Sequence, residues 1–160
     1  MNHSTSNPPN ISIIAHNVRS ILNVGSFFRT ADAAGVGHIW LTGYTPGPDT
    51  HPERIAKTAL GAEAMVPWSR MKRVGDVIAR LRREGVQVIA LEQTKSSIDY
   101  RACSPKFPIA MIVGNEVDGV GVAARKADVI IEIPMRGTKE SLNVSVALGV
   151  ALYELTRGWE

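Results

Sequence analysis

Short apolar runs alternate along the chain with segments in which apolar residues recur at helical spacing. The runs ISIIAH, HIWLTG, VQVIALE, IAMIVG and VIIEIP are rich in β-branched residues and predict strands. Strands that alternate with helices favour right-handed crossovers, and therefore a mostly parallel sheet with helices on both faces. The sequence predicts one α/β domain of five or six strands over residues 11–160, after a loose tail rich in Ser, Asn and Pro at residues 1–10.

The helical segments are predicted from apolar spacing and from residues that begin or end helices. They cover residues 23–34, 52–59, 71–85, 120–126 and 142–157. Asn23 can serve as an N-cap, and Gly35 stands where a left-handed residue ends a helix. In the last helix we expect a wide buried face made of Val146, Leu148, Val150, Leu152 and Leu155.

Ligands of parallel sheets gather beyond the carboxyl ends of the strands, and three loops of this chain lie there. The first loop leads into a helix that carries Asn23, Gly25 and Arg29. Gly25 allows another backbone or a ligand to come close, and an early-helix arginine suits a phosphate because its guanidinium is a planar, bidentate donor. Alternatively, Arg29 pairs with a carboxylate on a solvated helix face.

The second loop, residues 112–121, follows the run IAMIVG and reads IVGNEVDGVG. Residues 119–124 match the dinucleotide pattern G-x-G-x-x-A, but they do not follow the first strand and lack the required βαβ unit. We therefore prefer a loop whose glycines let backbone groups approach a ligand, with Asn115 and Glu116 adding directional polar groups. A simple Asn-Glu turn is the alternative.

The third loop, MRGTKESLN, precedes the last helix. Ser141 is a reasonable N-cap, so helix capping alone explains one polar residue. Asn143 falls within the first turn, where its side chain can face the same cleft as the helix N-terminus. Helix capping accounts for only one of these two polar residues. The second therefore favours a ligand-binding surface at the start of this helix.

Composition and charge exclude several classes of protein. With 44% hydrophobic and 21% charged residues in 160, the chain is neither disordered, collagen-like nor a coiled coil. A net charge of +3 fits an anionic partner such as nucleic acid. The single cysteine, Cys103, indicates a reducing compartment, and the absence of a secretory signal or membrane-length apolar run leads us to expect a cytoplasmic protein. The histidines show no metal-ligand spacing, so we expect no metal.

Taken in order, the three loops resemble those of the SpoU-type RNA 2′-O-ribose methyltransferases of the SPOUT superfamily. The matching segments are NVGSFFRTADAAGV, ALEQ, IVGNEVDGV and IPMRGTKESLNVSVALGVALYE, and the resemblance spans about residues 11 to 157. It implies a parallel sheet whose C-terminal segment is threaded into a deep trefoil knot that binds S-adenosylmethionine, in a homodimer with sites at the interface. Longer members carry an added RNA-binding domain that this sequence lacks, which leaves substrate choice open.

The resemblance also implies roles for individual residues. The cofactor is expected among Leu91, Gly114, Ile133, Met135 and Leu142, held largely by backbone groups. Five residues match the family's active-site positions: Asn23, Arg29, Glu116, Ser141 and Asn143. Arg29 is the family's catalytic arginine; because a guanidinium is effectively always protonated, we expect it to grip a phosphate and stabilise a developing alkoxide.

The resulting hypothesis is an S-adenosylmethionine-dependent enzyme that methylates a ribose 2′-hydroxyl of RNA. The segment EQTKSSID resembles that of tRNA guanosine methyltransferases, which favours tRNA over rRNA as substrate. An rRNA methyltransferase, a non-catalytic RNA-binding protein of the same fold and a NAD-dependent oxidoreductase are the alternatives.

Overall fold

A single parallel sheet organises the chain in the computed structural model, which describes residues 10–159. The strand order is β3-β2-β1-β6-β4-β7-β5, and every neighbouring pair is parallel. The expected tail at residues 1–10 lies, apart from Asn10, outside the described residues. The predicted α/β class with a parallel sheet is confirmed.

The element bounds follow the chain order. The strands are β1 (Ile11–His16), β2 (His38–Thr42), β3 (Trp68–Met71), β4 (Gln87–Leu91), β5 (Ile98–Asp99), β6 (Ile109–Val113) and β7 (Val129–Glu132). The α-helices are α1 (Ile21–Ala33), α2 (Pro52–Ala59), α3 (Ala62–Met65), α4 (Val74–Arg83) and α5 (Val144–Leu155), and 3₁₀ helices cover Tyr100–Ala102 and Gly121–Lys126. Within residues 10–159, no helix has the length and apolar character needed to cross a bilayer.

Successive strand residues point to opposite sides of the sheet, and helices cover both sides, so the sheet is buried on both faces. Ile13 and Met111 face the layer formed by α1, α2, α3 and α5, whereas Ile14 and Ile112 face α4 and the 3₁₀ helix 121–126. Helix α1 presents Val24, Phe27, Phe28 and Ala31 to the first layer, at the spacing that places side chains on one helix face. These fully buried strands explain why the sequence shows apolar runs rather than alternation.

Several predicted boundaries differ from the structure. Helix α1 begins two residues before Asn23, because Ser20 is its N-cap and accepts a hydrogen bond from the Asn23 backbone amide at 3.2 Å. Helix α5 begins at Val144 with Asn143 as its N-cap, so the prediction that Ser141 caps it is wrong. The predicted burial of Val146 and Val150 is also wrong: they are 52% and 38% exposed, on the side of α5 opposite its buried residues.

Two strands were not predicted, and both are short and lie at the edges of the sheet. In strand β3 the polar pair Ser69 and Arg70 separates Trp68 from Met71, so its apolar signal is weak, and the sequence pattern places Met71 in the following helix. Strand β5 has two residues, too few for any periodicity.

Gly25 lets α1 and α2 pack closely. A Cβ atom at this position would lie 2.0 Å from Thr58 Oγ1 and 2.5 Å from the Ile55 carbonyl oxygen. The Thr58 hydroxyl donates to the Leu22 carbonyl at 2.8 Å, which ties the two helices together at the same point. The close approach therefore brings α2 against the helix that carries Asn23 and Arg29.

We expect Gly25→Ala to lower the free energy of unfolding by about 1–3 kcal/mol, because the methyl group meets backbone atoms that cannot rotate away. Gly149→Ala is the matched control, since its Cβ would sit 3.6 Å from the nearest atom, a side-chain methyl of Thr30. At Gly149 the better helix propensity of alanine should raise stability by about 0.5–1 kcal/mol. Denaturant unfolding of both variants measures the difference; equal effects at the two positions would contradict this account of the α1–α2 contact.

Candidate functional site

A cleft of about 530 Å³ opens at the carboxyl ends of β4, β6 and β7, beside the N-terminus of α5. All predicted site residues except Asn23 and Arg29 line it: Leu91, Gly114, Glu116, Ile133, Met135, Ser141, Leu142 and Asn143. The loops after three neighbouring strands meet there because parallel strands end at the same edge of the sheet. The structure thus brings together residues that are up to 52 positions apart in the sequence, from Leu91 to Asn143.

Glu116 anchors the polar edge of the cleft. Its carboxylate accepts hydrogen bonds from the backbone amides of Arg19 and Ser20 and from Asn23 Nδ2, each at 3.1 Å. The amides belong to the loop before α1, so one carboxylate joins the loop after β6 to the loop after β1. A simple Asn-Glu turn therefore does not account for the hydrogen bonds of Glu116.

The hydrogen bonds of Glu116 also set its protonation state. Partial burial alone would raise the pKa of its carboxyl group, but the hydrogen bonds from Asn23, Arg19 and Ser20 outweigh that effect and hold the pKa below its ordinary value. Glu116 is therefore a carboxylate at neutral pH and acts as a hydrogen-bond acceptor.

Asn143 combines the two roles that the sequence left open. Its Oδ1 accepts from the backbone amides of Ser145 and Val146 at 2.9 and 3.3 Å, which caps α5. Its Nδ2 donates to Asn23 Oδ1 at 3.2 Å. Glu116, Asn23 and Asn143 therefore form a continuous hydrogen-bonded row along one edge of the cleft.

Glu92 contributes to the site, and the sequence reasoning missed it as an individual residue. It follows β4 directly; its Oε2 accepts from the Val120 amide at 2.6 Å and its Oε1 from the Gln93 amide at 3.0 Å. A Cβ on Gly119, whose φ is +66°, would lie 1.8 Å from Glu92 Oε2. The available signal was its place in the segment ALEQ, at the carboxyl end of a buried strand.

Arg29 lies elsewhere. It is exposed on α1 and does not line the cleft of its own chain. Within residues 10–159 the structure shows no hydrogen bond or ion pair for its guanidinium, so the alternative in which it pairs with a neighbouring carboxylate gains no support. Its role as a catalytic residue stays a prediction.

The charge of the cleft restricts what it can bind. Its walls carry the carboxylates of Glu92, Glu116, Glu132 and Glu140, and no lysine or arginine occurs among the described residues that line it. Leu91, Ile133, Met135 and Leu142 add apolar surface. Such a cleft fits a ligand with an apolar ring and a positively charged portion, at a size typical of small-molecule sites. Residues 10–159 contain no group of three or more His, Cys, Asp or Glu side chains arranged to hold a metal ion.

The comparisons with known proteins all identify the same kind of protein. The model of the SpoU rRNA Methylase family matches residues 10–153. The tRNA (guanosine(18)-2′-O)-methyltransferase of Escherichia coli K12 is 32% identical over 150 residues, which are 93% of this chain and 64% of that protein. The 23S rRNA (guanosine-2′-O-)-methyltransferase RlmB of Ralstonia nicotianae is 35% identical over 151 residues, 93% of this chain and 59% of that protein.

A solved structure extends the similarity to the fold. The AdoMet-bound rRNA methyltransferase from Sinorhizobium meliloti superposes with a TM-score of 0.87 at 33% identity, over 96% of this chain and 58% of that one. The chain thus spans about three fifths of the length of the relatives it matches.

We expect Glu116→Gln to lower the free energy of unfolding at pH 7 by about 1 kcal/mol, less than is usual for hydrogen bonds to a charged group, because the residue is exposed. Since folding depresses the pKa of Glu116, its contribution is present above the ordinary glutamate pKa and is lost as the pH falls through the folded value. Unfolding measured from pH 7 to pH 3 should show wild type and variant converging. Asp32→Asn, an exposed change on α1, is the control; a pH-independent difference for Glu116→Gln would contradict the assignment.

Proposed function

The chain belongs to the SpoU rRNA Methylase family, and from that premise we propose that it transfers a methyl group from S-adenosylmethionine to a ribose 2′-hydroxyl of RNA. The observation that carries the proposal is the acidic cleft bordered by the row Glu116, Asn23 and Asn143. The names of the two relatives support tRNA and rRNA as substrate classes. We favour tRNA because of the segment EQTKSSID, with rRNA as the second candidate. We also propose a cytoplasmic location, since these RNAs are the substrates.

The residues of the cleft fit S-adenosylmethionine. Leu91, Ile133, Met135 and Leu142 would hold the adenine and the methionine chain, and Gly114, which lines the same cleft, would offer its backbone groups. A positively charged ligand is favoured by the surrounding carboxylates. When bound, the cofactor supplies an electrophilic methyl group on a sulfonium.

The residues of this chain then have to position the ribose and ease the loss of its proton. The row of Glu116, Asn23 and Asn143 presents hydrogen-bonding groups at the edge of the cleft, together with Ser141, whose exposed hydroxyl lines the same wall. Arg29 would bind the adjacent phosphate and stabilise the negative charge that develops on the 2′-oxygen. Since Arg29 stays protonated, this role is electrostatic rather than that of a free base.

We further propose a homodimer with its sites at the interface. An apolar stripe is exposed at every third or fourth residue along helix α5 and the residue just before its N-cap: Leu142, Val146, Val150 and Tyr153 are 41%, 52%, 38% and 56% exposed. Monomeric proteins seldom expose a continuous apolar surface of this kind. The stripe begins at the cleft, because Leu142 lines it, so a second copy seated there would complete the wall of the site and bring further side chains to it.

The deep trefoil knot is also part of the proposal. Strand β7 lies between β4 and β5, and the segment after it returns to the same cleft as the loops after β4 and β6. A chain that passes between those loops before entering α5 would be threaded as the family resemblance implies.

Arg29→Ala should lower methyl transfer by a hundredfold or more, on the order of the loss seen when one group that stabilises transition-state charge is removed. Its affinity for S-adenosylmethionine should stay near that of the wild type, since Arg29 does not line the cleft of its own chain. The assay measures transfer of labelled methyl groups to unmodified tRNA and rRNA in parallel, with the modified ribose mapped by sequencing; calorimetry measures cofactor binding. Collapse of cofactor binding in Arg29→Ala would contradict the role.

Val146→Asp should convert a dimer into a monomer, because it places a charge at the centre of the α5 stripe. Val122→Asp is the matched control: Val122 is 72% exposed but lies in the 3₁₀ helix on the other face of the sheet. Sedimentation velocity measures both variants. A wild type that is monomeric at micromolar concentration, or equal dissociation of both variants, would contradict the proposed interface.

A further inference from the structure

A second cavity, of about 300 Å³, shares Asn115 and Gly119 with the acidic cleft. Its other walls come from the ends of β1 and β2, the start of α4 and the 3₁₀ helix 121–126. None of the residues proposed for methyl transfer lines it, so the reaction leaves this cavity without a role.

Tyr44 is the aromatic residue of the second cavity. It is 57% exposed, yet its hydroxyl oxygen accepts a hydrogen bond from Asn115 Nδ2 at 2.8 Å. Asn115 is itself 5% exposed and also donates to the Asn17 carbonyl at 3.1 Å. The hydroxyl is therefore held in place while more than half of the residue stays exposed, and a fixed, exposed ring can stack a nucleobase at small entropic cost.

The charges around the second cavity differ from those of the cleft. Lys126 lines it, and its ammonium lies beside the start of α4, where it would be 2.9 Å from a Cβ on Gly75. The exposed Lys72 and Arg73 stand next to this rim, since the Lys72 carbonyl accepts from the Gly43 amide at 3.2 Å, one residue before Tyr44. Lys126 therefore gives the cavity a positive charge that can bind a phosphate.

Two further side chains define the polarity of the cavity. His16 lines it, with Nδ1 bonded to Thr42 Oγ1 at 2.9 Å, and burial lowers the pKa of its imidazole, so it is neutral at pH 7 and does not add to the positive charge. Asp118 places a carboxylate on the wall, where it can accept hydrogen bonds from N–H groups of a base but would repel a phosphate. The cavity therefore offers a carboxylate suited to the N–H groups of a base and an ammonium suited to a phosphate.

We propose that the second cavity is a nucleotide subsite for the RNA substrate, with a base stacked on Tyr44 and its phosphate bound by Lys126. The inference rests on the proposed function for the identity of the ligand, and adds where the RNA is held. Asn115 connects the subsite to the reaction: it fixes Tyr44 on one side, and its Oδ1 accepts from the amides of Val117 and Asp118, which shape the turn that carries Glu116. Occupation of the subsite would thus hold the RNA next to the edge of the acidic cleft.

The test compares direct RNA binding by four variants, using transcribed unmodified tRNA and deproteinised rRNA as probes in filter-binding titrations. Tyr44→Ala should weaken RNA binding by roughly tenfold to a hundredfold, the range for loss of one base–aromatic stack. Tyr44→Phe, which keeps the ring, should bind close to the wild type. Lys126→Ala should reduce the slope of log affinity against log salt by about one phosphate contact. Lys106→Ala should leave the slope unchanged, because this exposed lysine precedes β6, at the amino ends of the strands and away from the cavity.

The possible outcomes distinguish the subsite proposal from the proposed methyltransferase activity. RNA binding with this pattern and no methyl transfer by the wild type would overturn the proposed function and keep the subsite. Methyl transfer that is normal in Tyr44→Ala, with unchanged RNA affinity, would overturn the subsite and keep the enzyme. An equal loss in Tyr44→Phe and Tyr44→Ala would also overturn it, because the hydrogen bond to Asn115 rather than the ring would then matter. A wild type that binds neither RNA would refute the subsite outright.

Discussion

The carboxylate of Glu116 is the interaction on which the arrangement of the site depends. It joins the loop after β6 to the start of α1, and through Asn23 the link continues to Asn143 at the start of α5. Three segments that are distant in the sequence are thereby fixed at one edge of the sheet. The sheet alone would bring the loops near each other, but parallel strands do not determine how loops beyond their ends are oriented. A charged acceptor shared by two backbone amides and one side-chain amide supplies that orientation.

The apolar runs made the central part of the fold predictable. Strands β1, β2, β4 and β6 are largely buried on both faces and β7 in part, so each reads as an apolar run rich in branched residues, and the alternation with helices then implies a parallel sheet. The same reasoning failed where burial is partial. On α5, the apolar Val146 and Val150 look like core residues in the sequence, but they are exposed in the single chain because composition does not say which side of an apolar helix meets the sheet.

The candidate site was predictable to a different degree. The resemblance identified residues that the structure brings together around the cleft, such as Ile133 and Leu142, because their loops occupy equivalent places on the same fold. It did not indicate the hydrogen bonds of Glu92 or the position of Tyr44, since such contacts depend on loop conformations that no periodicity encodes. The double function of Asn143 was likewise open in the sequence, because a helix cap and a binding edge use the same residue types.

The turn at residues 115–119 places opposite electrostatic environments close together. Asn115 and Gly119 belong to the walls of both cavities, with four glutamates around the cleft and with Lys126 and Asp118 in the second cavity. A Cβ on Gly114 would lie 2.2 Å from the Gly119 carbonyl oxygen, so the turn is closed tightly upon itself. A positively charged cofactor and a polyanionic RNA need opposite charge around them, yet their reacting atoms have to meet. A shared turn with an acidic cleft on one side and a cavity that carries Lys126 on the other meets both requirements within one domain.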